Sequence, residues 1–431
     1  MRALGGSRAR RVTVPGNGAS MNGSISGGRN GSAPEHDLLS ANGAPPLRTV
    51  PLASPRLLES ELEEVMDAYR SGWLCMGPRT AELEDSMRAY TGAAHAVAVS
   101  SCTAALHIAC LAARLGPGDT AIVPSLAFAA TANAIAISGA SPRFAEIAAL
   151  DRPWLSAEAA EAAIEPSTKA ILAMSYGGHP GEIAALAELA ERRGLALIED
   201  AAHASGSWQD GRHVGTFGLA GALSFSASKN LGIGEGGMLL TDEDAVAERA
   251  RALRWHGISA STWERRRGAA PEYTVEEVGL NYRIDDPRAA LVNARLRRLD
   301  EDNRRRAEID AAYRTAFAGA AGFAPIAPPP EGERASRCVF AIVLDEGLDR
   351  SAFRQRLSAR GVETSIHFPP LHSSPAYGAT TAMPLTEAFA ARAVSLPIFP
   401  HMEDWQQESV IEATLEAAAR PKGDARLHAV A

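Results

Sequence analysis

The sequence predicts an α/β fold: a large, doubly wound, mostly parallel sheet followed by a smaller C-terminal α+β domain. Three observations carry this expectation. From Pro51 onward, short apolar runs alternate with segments of helical pattern. Those runs are continuously apolar, as strands are when helices cover both faces of a sheet. With 431 residues, the chain also exceeds one ordinary small core and has room for two domains and a tail.

The elements follow in order. Residues 1–47 are rich in Gly, Ser, Asn and Arg; such a stretch buries too little apolar surface to offset its ordering entropy and is expected to be a disordered tail. Residues 48–300 are expected to form the large domain. Its strands are read at Ala96–Ser100, Thr120–Pro124, Ala170–Met174, Leu195–Glu199, Ala222–Phe225 and Gly237–Thr241. Helices are read at Thr103–Arg114 and Ile183–Arg193, and one long helix from Asp286 to about Phe317. Residues 301–420 are expected to form the small domain. It contains a Pro-rich loop at Pro325–Pro330, a strand at Cys338–Leu344 and a helix at Ser351–Arg360. Residues 421–431 read as a flexible tail.

Composition narrows the function classes. The formal net charge of -8 argues against nucleic acid as the main partner, since phosphate binding wants a basic face. No apolar run is long enough to span a bilayer, so no membrane role is expected. The four cysteines, Cys75, Cys102, Cys110 and Cys338, form no Cys-x-x-Cys pair, which argues against a structural metal or a disulfide framework and suits a cytoplasmic location. No metal site is expected. Lysine is scarce, with only Lys169, Lys229 and Lys422 in the chain.

In doubly wound sheets, ligands sit at the carboxyl ends of the strands. Asp200 falls there, just past Leu195–Glu199. It reads either as a helix N-cap or as the carboxylate that keeps a cofactor's pyridinium nitrogen protonated, so that the ring acts as an electron sink. Lys229 follows another strand inside Ser224-Phe-Ser-Ala-Ser-Lys229-Asn230, ahead of the glycine-rich run Gly232 to Gly237. An amine placed there can be tuned for attack on an aldehyde. Lys169 precedes its strand and Lys422 lies in the tail, so Lys229 is the best-placed Schiff-base lysine for pyridoxal 5'-phosphate. Ser100-Ser101-Cys102-Thr103 enters a helix directly after a strand. It reads as a phosphate seat or as an ordinary cap. Phe128 reads as a core residue or as a ring that stacks on a cofactor. His367 and His372 read equally as pocket or structural histidines.

Two rival readings are weaker. Ser226-Ala-Ser-Lys229 matches the Ser-x-x-Lys of acyl-serine hydrolases, but the Lys-Thr-Gly strand of that class is missing from the chain. A non-catalytic regulatory protein would be favoured by loss of Lys229 or Asp200, and both are present.

The chain from about Pro51 to Ala417 resembles the DegT-type nucleotide-sugar aminotransferases, a branch of the aspartate-aminotransferase fold. The likeness rests on ordered motifs. They include Ser101-Cys-Thr-Ala-Ala-Leu-His107, Glu199-Asp-Ala-Ala202, Ser224-Phe to Lys229-Asn230, Gly279-Leu-Asn-Tyr-Arg283 and Ile366-His-Phe-Pro. The resemblance implies that Lys229 holds pyridoxal phosphate and moves protons, and that Asp200 pairs with the ring nitrogen. It implies that His203 stands where a Gln commonly flanks the phenolic oxygen, and that Phe128 stacks on the ring. Thr103, the backbone at Cys102, and Ser224 would hold the phosphate. Asn281 would reach a phosphate across the interface of a homodimer with shared sites. The implied donor is glutamate or glutamine, and the implied acceptor a nucleotide-linked keto-sugar, in amino-sugar or natural-product biosynthesis. Other branches aminate cyclitol ketones or build aminobenzoates, and the motifs here leave those alternatives open. Cys102 replaces a frequent Gly, and Cys338 stands where many relatives carry His.

Overall fold

A computed structural model describes residues 48–258, 273–378 and 381–419. The expected tails at 1–47 and 421–431, with Lys422, lie outside the described residues, as does part of the Arg254–Arg267 loop. The large sheet has seven strands: β1 (His95–Val99), β2 (Thr120–Pro124), β3 (Ser141–Ala145), β4 (Thr168–Met174), β5 (Ala196–Asp200), β8 (Ala220–Ser224) and β9 (Gly237–Thr241). A small hairpin, β6 (Trp208–Gln209) and β7 (Arg212–His213), stands apart from it. The strand order is β1-β9-β8-β5-β4-β2-β3. Only β9 runs antiparallel to its neighbours; β8, β5, β4, β2 and β3 pair in parallel.

The expected apolar strands recur within one or two residues of their observed limits. β8 and β9 are buried at every position, which is why their sequences do not alternate. Within the large sheet, the strand the sequence did not reveal, β3, is an edge strand. Its segment Ser-Pro-Arg-Phe-Ala is buried only over its last two residues and carries a proline, which an edge position tolerates. The helices of this region are α1 (Glu59–Arg70), α2 (Pro78–Thr91), α3 (Cys102–Ala112), α4 (Ala129–Ile137), α5 (Ala157–Ala162), α6 (Ile183–Arg193) and α7 (Asp244–Leu253). They bury apolar clusters on both sides of the sheet.

The expected long helix is two: α8 (Asp286–Leu296) and α9 (Leu299–Phe317). Neither Pro nor Gly separates them. Arg298 leaves helical geometry at φ -114°, ψ 1°, at the point where the buried partners change. Leu296 and Leu299 pack with the large sheet, whereas Ile309, Tyr313 and Phe317 pack in a second core. That core covers a three-stranded antiparallel sheet of β10 (Phe323–Pro325), β11 (Phe340–Leu344) and β12 (Ala393–Leu396). Helices α10 (Arg350–Ala359) and α12 (Asp404–Ala418) complete it. The last helix, α11 (Pro384–Arg392), places Phe389 and Ala390 in the large core instead.

Candidate active site

The carboxyl ends of β5 and β8 and the amino end of α3 surround a cavity of about 360 Å³. Cys102, Thr103, Phe128, Asp200, His203, Ser224, Lys229 and His367 all line it. The fold thus gathers most of the residues named from the sequence.

Lys229 sits in a tight turn after β8. Its N–H donates to Ser226 O at 2.9 Å, and its carbonyl accepts from Gly232 N at 2.8 Å. A Cβ on Gly232 would lie 2.4 Å from Ala227 O, so the turn closes only around glycine. Lys169 is exposed at the start of β4, away from this cavity.

Asp200 ends β5 and is 2 % exposed. Thr131 Oγ1 donates to its Oδ2 at 2.5 Å, and the Ala202 N–H to its Oδ1 at 3.2 Å. Burial raises its pKa, opposed by the Thr131 hydroxyl, the Ala202 amide and the charge of Lys229. No cation pairs with it within ion-pair distance among the described residues, so a buried carboxylate faces the cavity wanting a positive partner. The Cys102 Sγ lies 3.9 Å from its Oδ1, and burial, then the Asp200 charge, pushes that thiol well up, so it stays protonated.

His203 is buried, and its Nδ1 accepts the Gly177 N–H at 3.2 Å. Burial first, then Lys229 and His367, hold its pKa well below the usual histidine range. The ring is therefore neutral with its proton on Nε2, a fixed donor. Phe368 stacks on it at 5.9 Å. His367 binds Ser395 Oγ through Nδ1 at 2.7 Å; burial and Lys229 lower its pKa to about 4.

At α3, Ser101 caps the helix by accepting from Ala104 N. The amides of Cys102 and Thr103 in that first turn have no intrahelical acceptor. β9 begins directly behind them: a Cβ on Gly237 would lie 2.5 Å from Cys102 N. Phe128 precedes α4 and is 58 % exposed, free to face a ligand.

Two named residues stand elsewhere. His372 is buried between Ser125 Oγ, 2.6 Å from Nδ1, and Glu387 Oε1, 3.1 Å from Nε2. That is the structural of its two readings. Asn281 is exposed, accepts from Arg283 Nε at 2.9 Å, and does not line its own chain's cavity. The sequence reading gave no role to Thr131 or Phe368. Thr131 reads as an ordinary helix residue, and only the β5–α4 juxtaposition reveals its hydroxyl as the partner of Asp200.

The model of the DegT/DnrJ/EryC1/StrS aminotransferase family matches residues 55–415. The chain belongs to this family. Among solved structures, this family member is similar to the aminotransferase TlmJ from Streptoalloteichus hindustanus, at 35% identity and a TM-score of 0.81 over 86% of this chain and 99% of TlmJ. It is similar to the sugar aminotransferase CalS13 from Micromonospora echinospora, at 26% identity and a TM-score of 0.78 over 85% and 99%. Spr1654 from Streptococcus pneumoniae, solved in a PLP form, matches at 27% identity and a TM-score of 0.80 over 86% and 99%. The chain is a pyridoxal phosphate-dependent aminotransferase.

The cavity fits that cofactor. A buried carboxylate without a cation suits a pyridinium, and two open helix amides beside Ser224 suit a phosphate. An amine on the same cavity suits an aldehyde carbon.

Proposed function

We propose that this aminotransferase moves an amino group from glutamate or glutamine to a nucleotide-linked keto-sugar. The observation that carries the chemistry is the meeting of Lys229, Asp200 and the α3 amino terminus in one cavity. The sugar reading draws on the likeness to CalS13, described as a sugar aminotransferase.

The cofactor, when bound, supplies the carbonyl that receives the donor's amino group and an electron-withdrawing ring. The chain's own residues do the rest. Lys229 Nζ would hold the cofactor and would carry the proton moved during the transfer. Asp200, its carboxylate aimed by Thr131, would hold a proton on a cationic ring nitrogen. His203 Nε2–H would donate to an oxygen of the cofactor without changing charge. The amides of Cys102 and Thr103, with Ser224, would hold the phosphate, and Phe128 would pack on the ring. The donor leaves as its 2-oxo acid.

The test is a panel of nucleotide keto-sugars with glutamate or glutamine, read by 2-oxo acid release. Turnover of at least one nucleotide keto-sugar is expected. Turnover confined to cyclitol ketones or aminobenzoate precursors would overturn the sugar assignment and keep the chemistry.

The proposal includes a homodimer with shared sites. Its support is the exposed run Val275, Val278 and Leu280 leading into Asn281, with Val278 91% exposed. Apolar surface of that kind calls for a partner. Mixing Asn281→Ala with Lys229→Ala subunits leaves one undamaged site per mixed dimer, so activity should return. No recovery would count against sharing.

A further inference from the structure

A second cleft, of about 340 Å³, lies between the start of α9, the loop after β5 and the segment before β11. Arg304, Arg334 and Arg337 line it against one carboxylate, Asp300. Asp300 is already engaged: it accepts from Tyr90 Oη at 2.7 Å and meets Arg334 at 3.4 Å. Arg337 lies 3.5 Å from Asp310, which Arg314 holds more closely at 2.9 Å. These are the cleft's arginine ion pairs among the described residues, and neither includes Arg304. The Arg337 Nε is buried and faces Asp310 Oδ2 at 3.5 Å without a hydrogen bond to it, and its Nη1 donates to Ala335 O at 2.9 Å. Its backbone holds φ at 51°, a left-handed conformation that a non-glycine residue keeps only where its surroundings impose it.

The floor of the cleft is equally built. Gly206 has φ at +83°, and a Cβ there would lie 2.4 Å from Asn303 Nδ2. Only glycine lets that amide pack directly against the backbone there. Asn303 Oδ1 accepts from Asn230 Nδ2 at 2.6 Å, and its Nδ2 donates once, to Ser205 O at 3.0 Å. One amide hydrogen remains. The recess is lined by three guanidinium groups, of which Arg334 lies over Trp208 and shares Asp300, Arg337 faces Asp310, and Arg304 has no ion pair among the described residues. Guanidinium forks match the spacing of phosphate oxygens, and three forks suit an anion with several of them. The chain's net charge of -8 makes this basic recess a local exception rather than part of a general anion trap.

We propose that this cleft is an accessory site for a diphosphate anion, either free pyrophosphate or the diphosphate of a nucleotide. The experiment is calorimetric titration of the cofactor-loaded enzyme with pyrophosphate, and separately with UDP. Saturable binding of one pyrophosphate per chain is expected. The double variant Arg304→Gln/Arg334→Gln should raise its Kd by about tenfold or more, since each lost charge-assisted contact is worth roughly that factor. Ala307→Glu, which adds a negative charge to the lining while keeping every arginine, should abolish it. Melting temperature and cofactor absorbance check that the variants fold. No saturable binding, or an unchanged pyrophosphate Kd in either folded variant, overturns the proposal. UDP losing affinity in the same variants supports a nucleotide as ligand. UDP binding that ignores both substitutions overturns the nucleotide arm and leaves pyrophosphate as the ligand.

Discussion

Asp200 shows how one residue's surroundings define its work. It is buried, two neutral donors orient it, and burial raises its pKa against the pull of those donors and of the Lys229 charge. Asp200→Asn keeps the shape and removes the charge. The variant should retain cofactor on Lys229 but lose about a hundredfold or more in turnover, the scale of removing a preorganised electrostatic group. Borohydride reduction and peptide mass spectrometry read the first quantity, and steady-state kinetics the second. Near-normal turnover would refute the electron-sink role. His203→Gln makes the complementary case. His203 acts as a fixed neutral donor, and an amide donates as well, so activity should fall by less than about tenfold, whereas His203→Leu should lose the donor altogether. Lys229 and Asp200 were legible in the sequence because each follows an apolar strand at its ligand-binding end. Thr131 was not, because it stands 69 positions from Asp200 and only the fold brings the two together.

At the scale of elements, two contacts fix how helices meet their neighbours, one of them at the site. Gly237 opens β9 against the amino end of α3, where an added Cβ would lie 2.4 Å from Ser101 C and 2.5 Å from Cys102 N. Gly237→Ala must push that turn away. A stability loss of about 1–3 kcal/mol is expected, together with weaker cofactor retention in dialysis; unchanged retention would mean that this turn does not hold the phosphate. Asp286, in the first turn of α8, organises the start of α2. It accepts from Gly77 N at 2.8 Å, Thr80 N at 3.1 Å, Thr80 Oγ1 at 2.7 Å and Arg79 N at 3.1 Å. Asp286→Ala strands those donors in a buried setting and should cost about 3 kcal/mol in chemical denaturation. Strands β2, β5, β8 and β9 were readable from continuous apolar runs. Edge strand β3 and the α8–α9 break were not, since one carries a half-exposed pattern and the other turns on which core each helix face meets.

Over the whole molecule, buried imidazoles govern the response to acid. Burial lowers His179 and His213 to about 3 and His367 to about 4, and holds His203 well below its usual range. The unfolded chain takes up these protons near pH 6.5 while the folded chain refuses them, so stability falls as pH drops below that value. Glu199 opposes the trend. Burial raises it to about 7, against the amides of Gly215 and Gly218. The folded chain therefore keeps that proton where the unfolded chain releases it, and stability falls as pH rises from about 4.5 to 7. Asp200, also raised by burial, acts in the same sense as Glu199, and the four histidines outweigh these two carboxyls between pH 6.5 and 5. His213 isolates the effect, because it packs against Tyr90 and Trp208 and does not line the cofactor cavity. At about 1.4 kcal/mol per pKa unit, its share between pH 6.5 and 5 is about 2 kcal/mol. Denaturation at pH 7 and pH 5 should show the wild-type chain losing stability on acidification, and His213→Gln losing about 2 kcal/mol less. Equal losses in the two proteins would mean that His213 is protonated in the folded state and that acid sensitivity arises elsewhere.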